Sequence, residues 1–218
     1  RIAHLKPSPI RILSEGAPPH AIPLGLGEPT WALPEPARRA LAQQKGACAY
    51  GPNQGLSELR LAVAGWHGAH PEEVLITTGS QGALFSLFQA FLDPGDAVLV
   101  PDPGFPAYSA LARLAGAEAV PYLLNPADHF RLDADAFEAA LAQAPKAKIA
   151  VVNVPSNPTG GGSRPSELAR VADACEARGL LLISDEVYRD LYFGARPPTL
   201  REVSDHGVVV TSVSKGWG

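Results

Sequence analysis

The chain alternates short apolar runs with segments of helical periodicity, and this alternation restricts the fold more than any other feature. Strands that are joined through helices lie parallel, and the joining helices cover the sheet. Most of the runs are continuously apolar, which is typical of strands covered on both faces. The predicted strands are residues 74–78, 97–101, 119–123, 148–154, 180–184 and 208–213. We therefore predict an α/β fold, with a mostly parallel sheet sandwiched by helices in three layers.

Two of the intervening segments show clear helix signals. One carries an apolar stripe at the 3.6-residue repeat, formed by Leu84, Leu87, Phe88 and Phe91. The other begins after Pro165 and stops at Gly179, which is the usual arrangement of proline at the start of a helix and glycine at its end. Both segments lie between predicted strands, as crossover helices do.

The first 36 residues differ from the rest because they are rich in proline and carry little periodicity. We expect residues 1–36 to form an extended N-terminal arm with a turn at residues 25–29, and such arms often pack on a neighbouring subunit. Residues 37–218 are then expected to form one α/β domain.

The composition excludes several classes of partner. The 218 residues are 46% hydrophobic and 18% charged, with a formal net charge of -4. No run of Lys and Arg could follow a phosphate backbone, which argues against nucleic acid. No apolar stretch approaches the roughly 20 residues of a membrane-spanning helix, and residues 1–9 lack the apolar core of a signal peptide. The expectation is a soluble, cytoplasmic protein without a membrane partner.

The cysteines and histidines predict neither a disulfide framework nor a metal site. Cys175 falls on the apolar stripe of its predicted helix, and we interpret it and Cys48 as reduced packing residues, although sequence alone leaves a disulfide between them open. His67 and His70 are three residues apart, but the adjacent glycine and proline argue against a helix that presents both on one face, and no third ligand is apparent.

Small and polar residues follow four of the predicted strands. In an open parallel sheet, ligands bind outside the carboxyl ends of the strands, so these residues are expected to meet. The set comprises Gly79, Ser80 and Gln81 after the first predicted strand, Asn157 after the fourth, Asp185 and Tyr188 after the fifth, and Ser212 and Lys215 at the end of the sixth. A carboxylate and an ammonium group at the ends of buried strands are costly unless each has a partner, which favours a functional site over packing.

One cofactor requires this combination of groups. A lysine amine can form a Schiff base with an aldehyde, and a carboxylate that faces a pyridine nitrogen keeps the nitrogen protonated. A phenol and an amide can donate hydrogen bonds to the phenolate oxygen of the ring, while serines and the amides at a helix start hold a phosphate. The residues therefore predict a site for pyridoxal 5'-phosphate, with no metal.

Three segments, in this order and at these separations, resemble signature segments of the class I and II pyridoxal-phosphate-dependent aminotransferases, the aspartate aminotransferase superfamily of fold type I. They are Asn157-Pro158-Thr159-Gly160, Ser184-Asp185-Glu186-Val187-Tyr188 and Ser212-Val213-Ser214-Lys215. Weaker similarities lie at residues 24–29, 50–60, 78–81 and 101–108. Together they cover nearly the whole chain, so the fold implied is the large, cofactor-binding domain of that family.

The resemblance implies a role for each matching residue at the reacting end of the cofactor. Lys215 would carry the cofactor and then move a proton at the substrate α-carbon as a general base and acid. Asp185 would pair with the pyridine nitrogen. Asn157 and Tyr188 would donate hydrogen bonds to the phenolate oxygen, and Asn157 would also contact the substrate.

The remaining roles implied by the resemblance concern stacking, the phosphate and the substrate carboxylate. Phe105 would stack on the ring, and Gly27 would meet the substrate carboxylate through its backbone. Tyr50 would reach the phosphate bound by the partner subunit, which implies a homodimer. The phosphate itself would be held by Ser212, Ser80 and the amides of Gly79 and Gln81.

The activity implied is transfer of an amino group between an L-amino acid and a 2-oxo acid in amino acid metabolism. A carbon-sulfur lyase or another eliminating enzyme would use the same Lys215, Asp185, Tyr188 and Asn157, so it remains an alternative. A ligand-sensing regulatory domain is a second alternative, although no helix-turn-helix pattern precedes the domain. A nicotinamide dehydrogenase is poorly supported, because the Gly25-Leu26-Gly27 segment lacks a third glycine and a following helix.

The chain departs from the family pattern at its end. The family continues well beyond its lysine, with one arginine for the phosphate and a second, in a C-terminal small domain, for the substrate carboxylate. Neither arginine has a counterpart in a chain that ends at Gly218. We therefore expect an incomplete large domain without the small domain, and a catalytically incomplete fragment is a further alternative.

Overall fold

The computed structural model describes residues 9–22, 24–44 and 49–217 of the chain. The described strands are β1 (Ala97–Asp102), β2 (Glu118–Leu123), β3 (Ala147–Asn153), β4 (Leu181–Asp185) and β5 (Val208–Val210). The described α-helices are α1 (Pro9–Glu15), α2 (Glu35–Gln43), α3 (Ser57–His67), α4 (Gly79–Phe91), α5 (Ala107–Ala115), α6 (Ala134–Ala142), α7 (Pro165–Ala177) and α8 (Val213–Gly216).

All five strands pair in parallel, in the order β2-β1-β3-β4-β5. The chain first runs outward from β1 to β2 and then returns across β1 to begin β3, so the direction of winding reverses between β1 and β3. Ligands of open α/β sheets bind at the carboxyl ends of the strands beside such a reversal. The predicted mostly parallel sheet is confirmed.

The two faces of the sheet carry separate hydrophobic cores. Val98 and Val100 of β1 pack with α4 and α5. Leu99, which lies between them and points to the other face, packs with α6 and α7. Because successive strand residues alternate between faces, each strand contributes to both cores. The predicted three-layer arrangement is confirmed.

The prediction of a strand at residues 74–78 is wrong. The segment lies between a short 3₁₀ helix (Pro71–Glu73) and α4, outside the described sheet. The amide of Ile76 donates to the carbonyl of Gln54 at 3.0 Å, and the Thr77 hydroxyl donates to the carbonyl of Gly79 at 2.8 Å. The segment is therefore tied to a loop and closed by a turn, although its apolar residues suggested a strand.

The last predicted strand, residues 208–213, is too long. β5 ends at Val210, and residues 213–216 form α8. The hydroxyl oxygen of Ser212 accepts the amide of Ser214 at 3.1 Å, which caps the helix and ends the extended run. Lys215 consequently projects from a short helix at the edge of the sheet.

The N-terminal segment is also less extended than predicted. Residues 9–15 form α1, and α2 begins at Glu35, inside the predicted boundary of the arm. Cys175 is free and buried, as expected of a packing residue, and burial raises the pKa of its thiol to about 12. Cys48 lies outside the described residues. Within the described part of the chain, no helix is long and apolar enough to cross a membrane.

Candidate active site

The side chain of Lys215 reaches back from α8 to the N-terminal segment. Its Nζ donates a hydrogen bond of 2.6 Å to the carbonyl oxygen of Gly27. The same amine lies 5.6 Å from the centroid of the Tyr188 ring, within the range of a cation–π interaction. Three residues that the sequence predicted for one site, far apart along the chain, therefore meet.

Asn157 joins this group through the phenol of Tyr188. The side-chain amide of Asn157 donates to the Tyr188 hydroxyl at 3.5 Å, which is long for a hydrogen bond. A Cβ placed on Gly27 would lie 3.7 Å from the Tyr188 hydroxyl and 3.9 Å from the Lys215 amine. We name Gly27, Asn157, Tyr188 and Lys215 the lysine cluster. An amine, a phenol and an amide thus converge. The amine is the group that an aldehyde needs to form a Schiff base, and the phenol and the amide are donors suited to a phenolate oxygen.

Asp185, the last residue of β4, is buried, with 3% of its surface exposed. Oδ2 of its carboxylate accepts a hydrogen bond of 2.7 Å from the hydroxyl of Tyr108. The other oxygen, Oδ1, has only a weak contact of 3.4 Å with the amide of Val187. Burial raises the pKa of Asp185, and the Tyr108 hydrogen bond opposes that shift.

The environment of Asp185 fits a pyridine ring. A buried carboxylate with one well-bonded and one weakly bonded oxygen would be stabilised by a cationic N–H donor at the second oxygen. A protonated ring nitrogen is such a donor. Together with the lysine cluster, this carboxylate supplies the groups that pyridoxal 5'-phosphate needs along its ring.

Phe105 is connected to the carboxylate through Tyr108. The rings of Phe105 and Tyr108 meet edge to face, with centroids 5.7 Å apart and an interplanar angle of 83°. Phe105 lies just before α5 and is partly exposed, whereas Tyr108, in the first turn of the helix, is 1% exposed. Phe105 thus has an exposed surface on which a ring could stack, whereas Tyr108 is buried and hydrogen-bonded to Asp185.

The predicted phosphate-binding residues have fewer contacts with the rest of the candidate site. Ser80 and Gln81 occupy the first turn of α4, which begins at Gly79. In the described part of the chain, neither side chain forms a hydrogen bond with the lysine cluster. No side chain caps this helix start, but the Gly79 amide donates to the carbonyl of Thr77 at 2.8 Å, so the amides of Ser80 and Gln81 are the ones left to hold an anion. The Ser212 hydroxyl caps α8 and also donates to the Ser214 hydroxyl at 3.0 Å.

The family comparison decides what this arrangement belongs to. The family model described as aminotransferase class I and II matches residues 19–218, nearly the whole chain. The chain belongs to the class I and II aminotransferases. The resemblance predicted from the three motifs is therefore confirmed.

Aminotransferases of several names are similar to this chain. The aspartate aminotransferase of Geobacillus stearothermophilus is 33% identical over an alignment that covers 100% of this chain and 61% of that protein. The valine–pyruvate aminotransferase of Mycobacterium tuberculosis is 37% identical, with 89% and 53% covered. The solved structure of aspartate aminotransferase from Thermus thermophilus with maleate superposes with a TM-score of 0.81 at 36% identity, covering 89% of this chain and 53% of that one. The chain spans a little more than half the length of the curated relatives it matches.

Two residues of this candidate site were not predicted from sequence. Tyr108 contacts Asp185, as described above. Asn153 ends β3 and donates its side-chain amide to the carbonyl of Asp185 at 2.8 Å. The only sequence signals were positional: Tyr108 lies one helical turn after Phe105, and Asn153 ends an apolar run four residues before Asn157. Neither signal indicates that the side chain contacts Asp185, because Asp185 lies on another element of the fold.

Tyr50 stands apart from the candidate site. Its side chain is fully exposed, at 108% of the reference area, and it precedes the loop that leads to α3. A role across a subunit interface is compatible with this exposure but remains a prediction. The division at residue 36 into arm and domain likewise stays a prediction.

Proposed function

We propose that the protein containing this chain transfers an amino group between an L-amino acid and a 2-oxo acid, with pyridoxal 5'-phosphate bound at Lys215. One observation carries the proposal: a partly exposed amine with Tyr188 and Asn157 beside it lies at the same sheet edge as the buried carboxylate of Asp185. The names of the relatives support amino transfer over elimination.

The bound cofactor supplies an electron sink for the negative charge that develops at the substrate α-carbon. Lys215 would remove the proton from that carbon as a general base and deliver it, as a general acid, to C4′ of the cofactor. Its hydrogen bond to the Gly27 carbonyl holds the amine in place between Tyr188 and the N-terminal segment. Gly27, beside this amine, is proposed to meet the substrate carboxylate through its backbone.

Asp185 is proposed to keep the ring nitrogen protonated. Its burial excludes water from the carboxylate, so a hydrogen bond to a cationic donor there is stronger than it would be in solvent. Tyr108 holds Oδ2 and leaves Oδ1 for the ring. Asn157 and Tyr188 are proposed to donate to the phenolate oxygen, and Phe105 to stack on the ring.

The phosphate is proposed to lie at the start of α4. The amides of Ser80 and Gln81 at this uncapped helix start can donate to it, and the Ser80 hydroxyl is in the same turn. The Gly79 amide would join them by leaving its present acceptor, the carbonyl of Thr77 at 2.8 Å. Ser212 would join them if its hydroxyl hydrogen turned from Ser214 towards the phosphate. The relatives are named for different amino acids, so their names do not single out one substrate side chain.

The assembly is proposed to be a homodimer in which Tyr50 of each subunit completes the site of the other. Besides Tyr50, α4 exposes Phe85 and Phe91 at 48% and 52% of their surfaces. Exposed aromatic side chains of this kind are enriched at interfaces between proteins. Sedimentation equilibrium of the native gene product tests the proposal, and a monomer would contradict it. A cytoplasmic location stays a prediction.

Chemical labelling tests the cofactor site. Addition of pyridoxal 5'-phosphate to the native gene product, followed by borohydride, is expected to fix the label on the peptide that contains Lys215. Lys215→Ala should remove both the label and turnover while the fold remains. Lys148→Ala, which changes an exposed lysine of β3, is the matched control and should retain both. Label on Lys148 or Lys146 instead would refute the assignment.

The reaction type is tested separately, with single amino acids and the cofactor-loaded protein. Amino transfer predicts a 2-oxo acid and the amine form of the cofactor in equal amounts. Release of ammonia or a thiol would identify an eliminating enzyme and contradict the proposed reaction, while leaving the assignment of Lys215 intact.

A further inference from the structure

The side chain of Asn153 contacts the backbone of two proposed cofactor-binding residues at once. Its Nδ2 donates to the carbonyl of Asp185 at 2.8 Å, and its Oδ1 accepts the amide of Asn157 at 2.6 Å. Asn153 is 5% exposed, so neither hydrogen bond competes with bulk water. One uncharged amide therefore joins the residue proposed for the ring nitrogen to the residue proposed for the phenolate oxygen.

The position of Asn153 in the sheet explains how it reaches both. β3 and β4 are parallel, and Asn153 is paired in register with Asp185 at their carboxyl ends. The Asp185 carbonyl also accepts the amide of Val154 at 3.2 Å, so the end of β4 is held by two consecutive residues of β3. Asp185 cannot shift along the strand without breaking both bonds.

Asn157 depends on this support because few amides of its loop reach the strand end. Pro155 and Pro158 have no amide hydrogen, and the Ser156 amide donates within the loop, to the carbonyl of Gly161 at 2.8 Å. The Asn157 amide is the donor that ties the middle of the loop to the strand end. Its acceptor is a side chain rather than the backbone, which makes the tie dependent on the residue at position 153.

We propose that Asn153 is a positioning residue that sets the spacing between Asn157 and Asp185, and with it the fit of the ring between them. The inference rests on the proposed cofactor function and adds a residue that does not touch the ring. An asparagine suits this role because the task needs one donor and one acceptor without a charge beside the Asp185 carboxylate.

Asn153→Leu tests the proposal, since leucine has a similar volume and can form neither hydrogen bond. In the cofactor-free native gene product, amide hydrogen exchange at Asn157 should become faster. In titrations followed by the visible absorbance band, the Kd for pyridoxal 5'-phosphate should rise about tenfold, the weakening expected when two hydrogen bonds are lost. The pH midpoint of that band should also move upward, because Asn157 would no longer be held against the phenolate oxygen.

The matched control is Ser156→Ala. Ser156 is 6% exposed in the same loop, but its hydroxyl has no hydrogen-bond partner among the described residues. This variant should leave the exchange of Asn157, the Kd and the spectral midpoint as they are. If the weaker cofactor binding came merely from disturbance of the buried loop, the Kd would rise in both variants.

Asn153→Ala serves if the leucine variant fails to fold, because it removes both hydrogen bonds without placing a branched side chain or a charge at the strand end. Exchange at the Asn157 amide should again become faster, and the Kd should again rise about tenfold. A Kd equal to that of Ser156→Ala in either Asn153 variant overturns the inference. If the unaltered protein forms no adduct at Lys215, the proposed function itself fails, and this result is distinguishable because it precedes any substitution.

Discussion

The hydroxyl of Tyr108 donates a hydrogen bond of 2.7 Å to Oδ2 of Asp185. The contact joins the first turn of α5 to the end of β4, and both side chains are almost completely buried. Burial raises the pKa of each group, since an ionised carboxylate and an ionised phenol both lose solvation there. The phenol therefore remains a donor at neutral pH, and its hydrogen bond favours the ionised form of Asp185.

Tyr108→Phe should weaken catalysis and alter its pH dependence. Without the hydroxyl, the pKa of Asp185 rises further, so less of the carboxylate is ionised to hold a protonated ring nitrogen. Hydrogen bonds to charged groups contribute about 1.5–3 kcal/mol, which corresponds to a roughly 10- to 100-fold loss in kcat/KM. The acidic limb of the pH profile should move to higher pH, as measured by steady-state kinetics across the pH range.

Tyr122→Phe is the control for that experiment. Tyr122 is 2% exposed, and its hydroxyl donates to the carbonyl of Val151 at 3.0 Å in the opposite hydrophobic core. Its loss should lower stability by about 1 kcal/mol and leave the pH profile in place. A profile shifted equally in both variants would mean that Tyr108 acts only through packing.

The sequence predicted the central sheet well because β1, β3 and β4 are mostly apolar, with Lys148 the one charged residue before their ends, and begin or end at clear turn signals. Residues 74–78 show the limit of that rule, since an apolar β-branched run does not specify whether a neighbouring strand is available to it. The end of β5 was misplaced for a local reason: Ser212 caps a helix, and a serine after valines is equally compatible with a longer strand.

The candidate site was predictable where motif residues carry the chemistry themselves. Lys215, Tyr188, Asn157 and Gly27 meet as expected, because strand ends of a parallel sheet converge. Tyr108 could not be found in this way, since its role depends on how α5 packs over β4. Asn153 could not be found either, because its contact with Asp185 depends on the register between β3 and β4. No single stretch of sequence encodes that register.

Asp185→Asn should stabilise the cofactor-free protein at neutral pH while abolishing turnover. Because burial raises the folded-state pKa of Asp185, the ionised carboxylate opposes folding, and stability falls as pH rises above the ordinary aspartate range. The neutral amide removes this cost, which we expect to be of order 1 kcal/mol. Thermal unfolding should show a higher Tm for the variant at pH 7 and no difference at a pH below the unfolded-state pKa. A lower Tm at pH 7 would contradict the argument.

Arg189→Ala should strongly destabilise the segment that carries Tyr188. The Arg189 guanidinium, 6% exposed, lies 3.8 Å from the carboxylate of Glu186, which is 2% exposed and has one oxygen without a hydrogen-bond partner among the described residues. Removing the cation leaves this carboxylate with only the hydrogen bonds at its other oxygen, among them those that Ser184 and Leu200 donate. It also breaks the Arg189 hydrogen bonds to Pro197 and Glu202, for a total cost of about 3–5 kcal/mol. Burial raises the pKa of Glu186. The loss of stability should therefore become smaller as pH falls through this raised pKa, because the carboxyl becomes neutral.

Arg170→Ala provides the comparison for the arginine experiment. Arg170 forms two ion pairs, with Asp135 at 2.7 Å and Glu138 at 2.9 Å, but all three side chains are well exposed. Exposed ion pairs contribute little, because solvent screens them. Chemical denaturation at several pH values should therefore show a large, pH-dependent loss for Arg189→Ala and almost none for Arg170→Ala. Equal losses would show that the burial of Glu186 is not the cause.

Gly27→Ala should weaken substrate binding without disturbing the fold. The added Cβ would lie at ordinary contact distances of 3.7 Å from the Tyr188 hydroxyl and 3.9 Å from the Lys215 amine, so the protein tolerates it. A substrate carboxylate at the same backbone would meet the new methyl group, and KM should rise about tenfold or more with a smaller change in kcat. Gly25→Ala is the control, because its Cβ meets Ser14 Oγ at 3.4 Å and lies two residues from the proposed contact. If both variants change KM alike, the N-terminal segment influences the site only through its overall path, and Gly27 does not bind the carboxylate.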